Sequence, residues 1–254
     1  MIRVSKPVIA PAALSPGAGL VQSLIDDAAG GIRSGASNEP FAFDRGVYAH
    51  ASVKAALRAA QFDKCCYCEG KIGAHSAGDV EHFRPKTRTR QGPNEVLVYP
   101  GYYWLAYQWA NLFFACDQCN RVGKRDFFPL GVPANRARLP TDSLAIEEPM
   151  LVDPSADDPR AHIRFNTWIP EGQSERGRET IRIVGLDRDA LNDDRRSHYK
   201  IIDVLAQLLA LPELENDRAA AKALLLDFSG PTAQYSAMTN DCLAAHGISQ
   251  AELQ

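Results

Sequence analysis

The sequence predicts an α+β protein in which a small cysteine-rich finger of short strands and turns is embedded in a mostly helical chain. Three observations predict it. Two Cys-x-x-Cys knuckles, Cys65 to Cys68 and Cys116 to Cys119, stand far apart and bracket a segment rich in His, Arg and aromatic residues. Apolar residues recur at helical spacing before and after that segment. Only one stretch outside it alternates with a period of two.

Taken in order, a proline-rich lead with Pro7, Pro11 and Pro16 is followed by two predicted helices, residues 19–29 and 47–62. The second places Val47, Ala51, Val53, Leu57 and Ala60 roughly on one face. Gly30, Gly31, Gly35 and Pro40 punctuate the stretch between them. Residues 151–168 hold short alternating runs such as His162-Ile163-Arg164-Phe165, which predict a strand or hairpin flanked by Pro154, Pro159 and Pro170. From Asp187 onward the pattern is helical: Ile201, Val204, Leu205, Leu208 and Leu209 stack at helical spacing and are expected in the core, and residues 219–228 and 235–246 form two further helices. No internal repeat and no phosphate-binding GxxxxGK[ST] loop is present.

Composition narrows the class. At 254 residues with 45% hydrophobic and 23% charged residues, the chain can build an ordinary globular core. The lead carries Arg3 and Lys6 among its prolines and makes no continuous apolar run, so neither a signal peptide nor a membrane span is expected, and a reducing cytoplasm is the expected location. The net charge of −3 hides an asymmetry: residues 1–140 carry 17 Lys and Arg against 11 Asp and Glu, and residues 141–254 carry 11 against 20. Polyanion binding follows local charge, so the first part is the candidate polyanion-facing half, and an unevenly charged solvated surface is the competing reading.

Of six cysteines, five fall in the two knots, which favours metal ligation over disulfides. Each Cys-x-x-Cys turn can offer two thiolates to one ion, and Cys65, Cys68, Cys116 and Cys119 together complete the tetrahedral four-sulfur shell of a closed structural zinc site. Cys66 and Cys242 are left over and read as small buried hydrophobes.

Between the knuckles lies Asp79-Val80-Glu81-His82-Phe83-Arg84-Pro85-Lys86. Glu81 offers a hard oxygen ligand and His82 an imidazole that titrates near neutrality, the pair a metal-assisted hydrolase needs. Taken alone the pair is weak; it gains weight from Asn120, which the last knuckle would fix at the start of a short helix. Arg84, Lys86, Arg88 and Arg90 alternate along one run, with Arg121, Lys124 and Arg125 beside Asn120; they read either as a phosphate track or as a solvated face. Tyr99, Tyr102, Tyr103, Trp104, Tyr107 and Trp109 read either as base-stacking groups or as the packing face of a helix over residues 102–110. Asp79 either ties down the backbone around His82 or caps a turn.

The order Cys-x-x-Cys, Asp-x-Glu-His-x-x-Pro, Asn-Leu-x-x-x-Cys-x-x-Cys-Asn resembles the zinc-containing HNH (His-Me finger) endonucleases. The blocks KCCYCEGKI, DVEHFRPK, YYWLAYQWANLFFACDQCNRVGKRDFFPL and GRETIRIVGLDRDAL resemble in particular the HNH endonucleases of retron and Septu anti-phage systems. The resemblance runs from about Cys65 to Leu191 and is most specific in the central block. It implies a ββα-metal finger over residues 63–135, a helical lead over 1–62, and a mainly helical region with a short β element over 136–254. It implies that His82 is the general base, that Glu81 and Asn120 hold a magnesium or manganese ion, and that Asn111 orients the loop. It further implies an endonuclease acting on nucleic acid, with DNA as the first expectation, and an ATPase as partner. Glu81 stands where many members have Asp or His, which keeps an oxygen ligand but lengthens its arm. Two other readings stay open: a non-catalytic zinc module that bridges macromolecules, and a thiol redox protein, which zinc content would exclude.

Overall fold

Strand structure among the described residues is confined to two short antiparallel pairs, and helices supply the rest of the framework. The computed structural model describes residues 1–29, 41–73, 76–211 and 215–254. Gly30, Gly31, Gly35 and Pro40, read as loop punctuation, lie outside them.

The lead carries α1 (Gly17–Ala29), then α2 (Arg45–Tyr48) and α3 (Ala51–Ala60). Where one helix was predicted over 47–62, two form. His50 adopts an extended backbone and its ring nitrogen accepts from the Ser52 amide, so it caps α3 and ends the previous turn. Val53 and Leu57, one turn apart, are buried and set α3 against the first sheet.

That sheet pairs β1 (Asp79–His82) with β2 (Leu112–Ala115), with Glu81 opposite Phe113 and His82 opposite Leu112. All four residues of β2 are buried, as a continuous apolar run of this length demands. The free edge of β2 is closed by side chains. Gln61 donates to the Phe114 carbonyl at 2.7 Å and accepts from the Phe114 amide at 2.8 Å, and the Lys6 ammonium caps the carbonyls of Trp109, Ala110 and Leu112 at 2.8–3.0 Å. Desolvation lowers the Lys6 pKa to about 8.

The segment predicted as an aromatic helix over 102–110 is instead two single 3₁₀ turns, Tyr103–Leu105 and Trp109–Asn111. The aromatic side chains pack inward from every side of the chain there, which a helix with one apolar face could not allow. Tyr102, Tyr103, Trp104 and Tyr107 are buried, so the packing reading holds for them. Beyond Cys116 the chain enters a π-helix, Gln118–Lys124.

The second half runs α4 (Pro159–His162), β3 (Ile163–Asn166), β4 (Ile169–Gly172), α5 (Glu175–Val184), α6 (Asp189–Leu209), α7 (Glu215–Ser229), α8 (Ser236–Ala245) and α9 (Gln250–Leu253). The hairpin lies at the C-terminal end of the predicted stretch, and Pro170, read as a flank, is inside β4. A proline is tolerated there because a two-stranded ribbon has only one paired edge per strand. The main core draws residues from Met1 to Met238, and a smaller cluster of Ile202, Leu225, Cys242, Leu243 and Leu253 joins the last four helices. Of the predicted core stripe on α6, Leu205 and Leu209 pack on the smaller cluster beside the buried Ile202 and Ala206, whereas Ile201 and Val204 are 52% and 62% exposed. No helix among the described residues is long and apolar enough to cross a membrane.

Candidate active site and metal centre

The two knuckles meet. The sulfurs of Cys65, Cys68, Cys116 and Cys119 all lie within 4.8 Å of one another, and Cys68 and Cys116 are 3.9 Å apart. A tetrahedral zinc with bonds near 2.3 Å has sulfur–sulfur edges of about 3.8 Å, so the donor set and its spacing fit that ion. The first knuckle is closed by the Cys65 amide donating to Gly70 and the Glu69 amide donating to Cys65, with Glu69 at a positive φ of 63°. Cys66 points elsewhere, buried behind the knuckle with its amide on the Phe114 carbonyl. Hydrogen bonds from Cys116, Cys119 and Cys65 hold the Cys68 thiol well below its usual pKa, while burial drives Cys65 well above. A divalent cation is what would let all four ionise together.

The knot is braced by the GRETIRIVGLDRDAL block. Arg188, at the α5–α6 junction, donates to the Cys119 sulfur at 3.5 Å and to the Gly185 carbonyl at 2.8 Å. Burial opposes its charge, the Cys119 and Cys68 sulfurs favour it, and the net shift of its pKa is upward. Gly123 lies against the Val184 carbonyl with no room for a Cβ, so the end of α5 packs directly on the π-helix that carries Asn120.

Beside the knot lies a cleft of about 280 Å³, lined by Arg45, Tyr48, Asp79, Glu81, His82, Lys86, Asn120, Arg121, Arg125 and others. Glu81, His82 and Asn120 are therefore brought to one place. The His82 ring donates through Nε2 to the Ala106 carbonyl at 2.8 Å. A carbonyl can only accept, so Nε2 carries the proton and Nδ1 is the basic nitrogen, without a hydrogen-bond partner among the described residues. Tyr48 packs edge-on against the ring at 4.9 Å. Burial, reinforced by the Lys86 charge, holds His82 well below its ordinary pKa, so the ring is neutral at pH 7.

Glu81 is buried on the other face of β1. Its Oε1 meets the Lys124 ammonium at 2.6 Å and the Tyr67 hydroxyl at 3.3 Å; Oε2 has no partner among the described residues. Lys124 also donates to the His82 carbonyl at 2.9 Å. Asp79, two residues before Glu81 and so on the same face of the strand, takes Arg121 in a two-point pair at 2.5 and 2.6 Å and accepts from the Asn120 amide at 3.3 Å. It neither ties the backbone at His82 nor caps a turn; it aims Asn120. Because a carboxylate accepts, the Asn120 nitrogen faces Asp79 and its oxygen is turned away. Asn111 clamps the strand end: its Oδ1 accepts from the Arg84 amide at 2.8 Å and its Nδ2 donates to the Arg84 carbonyl at 3.0 Å.

The seven cations read as a phosphate track are dispersed. Lys86 faces the cleft over the Tyr48 ring at 4.6 Å. Arg121 is exposed at its rim but paired to Asp79. Arg88 pairs with Asp126 at 2.9 Å, and Arg90 stacks over Phe127 at 5.4 Å. Arg84 is drawn inward to Glu147, which also accepts from Tyr102. Lys124 is 0% exposed and spent on Glu81. Arg125 lines the cleft as well, with no ion-pair partner among the described residues, and so does Arg45, which sits in the lead with no motif to mark it.

No family model matches the chain. It is 36% identical over 189 residues to a Septu protein PtuB of Bacillus mycoides (strain KBAB4), covering 70% of this chain and 64% of that protein. It is 27% identical over 171 residues to a Septu protein PtuB of Bacillus thuringiensis, covering 66% of this chain and 54% of the relative. The chain thus spans less than two thirds of the curated relatives it matches, and over roughly that part it is similar to proteins of this name.

Proposed function

We propose that the protein is a metal-dependent HNH endonuclease of a Septu-type anti-phage system, with residues 63–135 as its nuclease finger and an ATPase as its partner. The reading draws on the similarity to the Septu proteins and on one observation above all: a buried, neutral histidine whose tautomer is fixed by Ala106 lines a cleft together with Glu81, Asn120 and several cations. His82 Nδ1 accepts a proton from the attacking water. Asn111 and the Ala106 carbonyl hold the ring and the chain after it in place. Lys86 and Arg125 bind backbone phosphate of the nucleic acid, DNA in the first instance. Glu81 through Oε2 and Asn120 through its amide oxygen are hard donors that fit magnesium or manganese, and such an ion would supply positive charge to the phosphorane and the leaving 3′ oxygen. The products carry 5′-phosphate and 3′-hydroxyl ends.

The Lys124–Glu81 pair favours a second reading, a zinc module that binds without cutting, because it shows Glu81 satisfied without a metal. The two are separated by assaying plasmid, single-stranded DNA and transfer RNA with magnesium or manganese, in the presence of the partner ATPase. His82→Ala is expected to lose roughly 10²-fold or more in cleavage rate with zinc content and substrate binding intact, and raised metal does not rescue it. Asn120→Ala and Glu81→Ala lose activity that raised metal partly restores. Equal cleavage with and without His82 would reject this histidine as the general base, and no cleavage by the wild type would reject the nuclease reading.

A further inference from the structure

A second group of metal-ligating side chains lies far from the knot, in the C-terminal helices. Cys242 and His246 are four residues apart at the end of α8, joined by the hydrogen bond from the His246 amide to the Cys242 carbonyl, so both side chains leave the same side of the helix. That side faces α6, where Asp203 projects between them. The Cys242 sulfur, a His246 ring nitrogen and an Asp203 oxygen all lie within 4.8 Å of one another.

We propose that Asp203, Cys242 and His246 form a second zinc site, independent of the four-cysteine knot. The donor set is mixed: one thiolate, one imidazole and one carboxylate, each a normal zinc ligand. Three protein ligands leave a fourth position for water or an external ligand, unlike the closed four-sulfur shell. The surroundings are those of a ligand site rather than a surface ion pair. Cys242 is 3% exposed at the margin of the small apolar cluster, whereas the Asp203 and His246 side chains are 29% and 28% exposed, so one ligand is anchored in the core and solvent reaches the other two. The carboxylate is also oriented from behind. Gln207 donates to Asp203 Oδ2 at 2.9 Å, leaving Oδ1 directed at His246 Nε2 at 2.8 Å. Outer partners of this kind fix the orientation of metal ligands.

A tetrahedral zinc needs ligand–ligand edges of about 3.4–3.8 Å. The His246–Asp203 contact must therefore open by roughly half an ångström as the ion replaces the shared proton, and the Cys242 sulfur must close in by up to about 1 Å. Both are side-chain adjustments on intact helices. The site would tie α6 to α8, two of the four helices that share the small cluster.

The test counts zinc. Full-length protein is equilibrated with a modest excess of zinc, passed through a desalting column and analysed for metal, in the wild type, in Cys242→Ala and in the combined variant Asp203→Asn with His246→Gln. The quantity read is the difference: the wild type is expected to hold one more zinc per chain than either variant, with the knot's ion retained in all three. Cys242→Ala also loses one thiolate-to-metal charge-transfer band when cobalt replaces zinc at the second equivalent. Gln207→Ala is expected to weaken only this zinc, by about 10-fold or more. The combined variant changes half-exposed groups only and guards against misfolding at Cys242. If wild type and variants bind equal zinc, or if the second cobalt equivalent carries no thiolate band, the site does not exist.

Discussion

The four-cysteine knot and the His82 cleft sit side by side and are built on opposite plans. In the knot, four donor atoms face one another at distances that suit a single ion, and protein groups approach only from outside, as Arg188 does. In the cleft each of the three predicted site residues already has an internal partner: Glu81 has Lys124, Asn120 has Asp79, and His82 has Ala106. The knot turns its donors on one another, whereas the cleft's three predicted site residues are each held by a neighbour. A site whose ion is part of the fold needs its ligands free; a site that exchanges ions and substrate needs its ligands held in register while empty. Substitutions at one site leave the residues of the other intact, so the two plans can be tested separately.

The largest effect is expected at the knot. Cys119→Ser removes a ligand and leaves a bundle of buried thiols with no cation. Structural zinc contributes on the order of 10 kcal/mol to folding in small zinc modules, so the variant should lose its zinc and fold poorly, as read by metal analysis and thermal melting. Cys116→Ser should behave alike. Unchanged zinc and unchanged melting in either variant would show that the knot does not depend on its ion and would dissolve the comparison.

A smaller effect is expected at Lys124. Lys124→Met strands the buried Glu81 carboxylate, which costs about 3–5 kcal/mol, and adding Glu81→Gln recovers most of that loss because the orphaned charge is removed. Zinc content should not change in either case. On the nuclease reading the single variant has a further property. With the ammonium gone, magnesium or manganese becomes the cation that satisfies Glu81, so these metals should raise the melting temperature of Lys124→Met more than that of the wild type. An equal shift in both proteins would mean that Glu81 does not bind the added ion.

How far each site was legible in the sequence follows from the same contrast. The knot is written in local spacing: two Cys-x-x-Cys turns fix ligand pairs within a few residues, and only their meeting required the fold. The cleft depends on partners distant in sequence. Asp79 could have been grouped with Glu81 from the two-residue strand period, but nothing in the sequence says that Lys124 turns inward while Arg121, three residues earlier, stays outside. That depends on the π-helix, whose wider turn shifts the facing of side chains from the α-helical pattern. The fold shows similar limits. The α+β framework and the helices after Asp187 follow from apolar periodicity, whereas the stripe on α6 was right at Leu205 and Leu209 and wrong at Ile201 and Val204, because Ile201 and Ile202, Val204 and Leu205, offer two overlapping apolar faces. The helix over 102–110 failed where consecutive aromatics, Tyr102, Tyr103 and Trp104, are all buried, a pattern without the helical period, and the chain forms two 3₁₀ turns instead.

The smallest and most specific prediction concerns Lys86, the cation that faces the cleft beside His82. Burial foremost, with the Arg45 and Lys124 charges, lowers its pKa to about 8 against the pull of Glu81. The unfolded chain holds that proton up to about 10.4, so between about 8 and 10.4 the unfolded state binds more protons. This group therefore makes the protein more stable as pH rises through that window, and Lys86→Met should lose that rise. Nucleic-acid binding should show the opposite trend. Below pH 8 the ammonium is available to a phosphate; above it the free protein has lost the charge, and binding must take up a proton to restore it. Between pH 7 and 9 the wild type should lose affinity, and the salt dependence measured under conditions where Lys86 is neutral should be shallower by about 0.9, the contribution of one phosphate contact to a duplex. Lys86→Arg keeps its charge throughout and should show neither change. Fluorescence anisotropy on a short labelled duplex, titrated with salt at each pH, measures both. The same pH trend in Lys86→Arg would place the titrating group elsewhere and leave this lysine as packing for the Tyr48 ring.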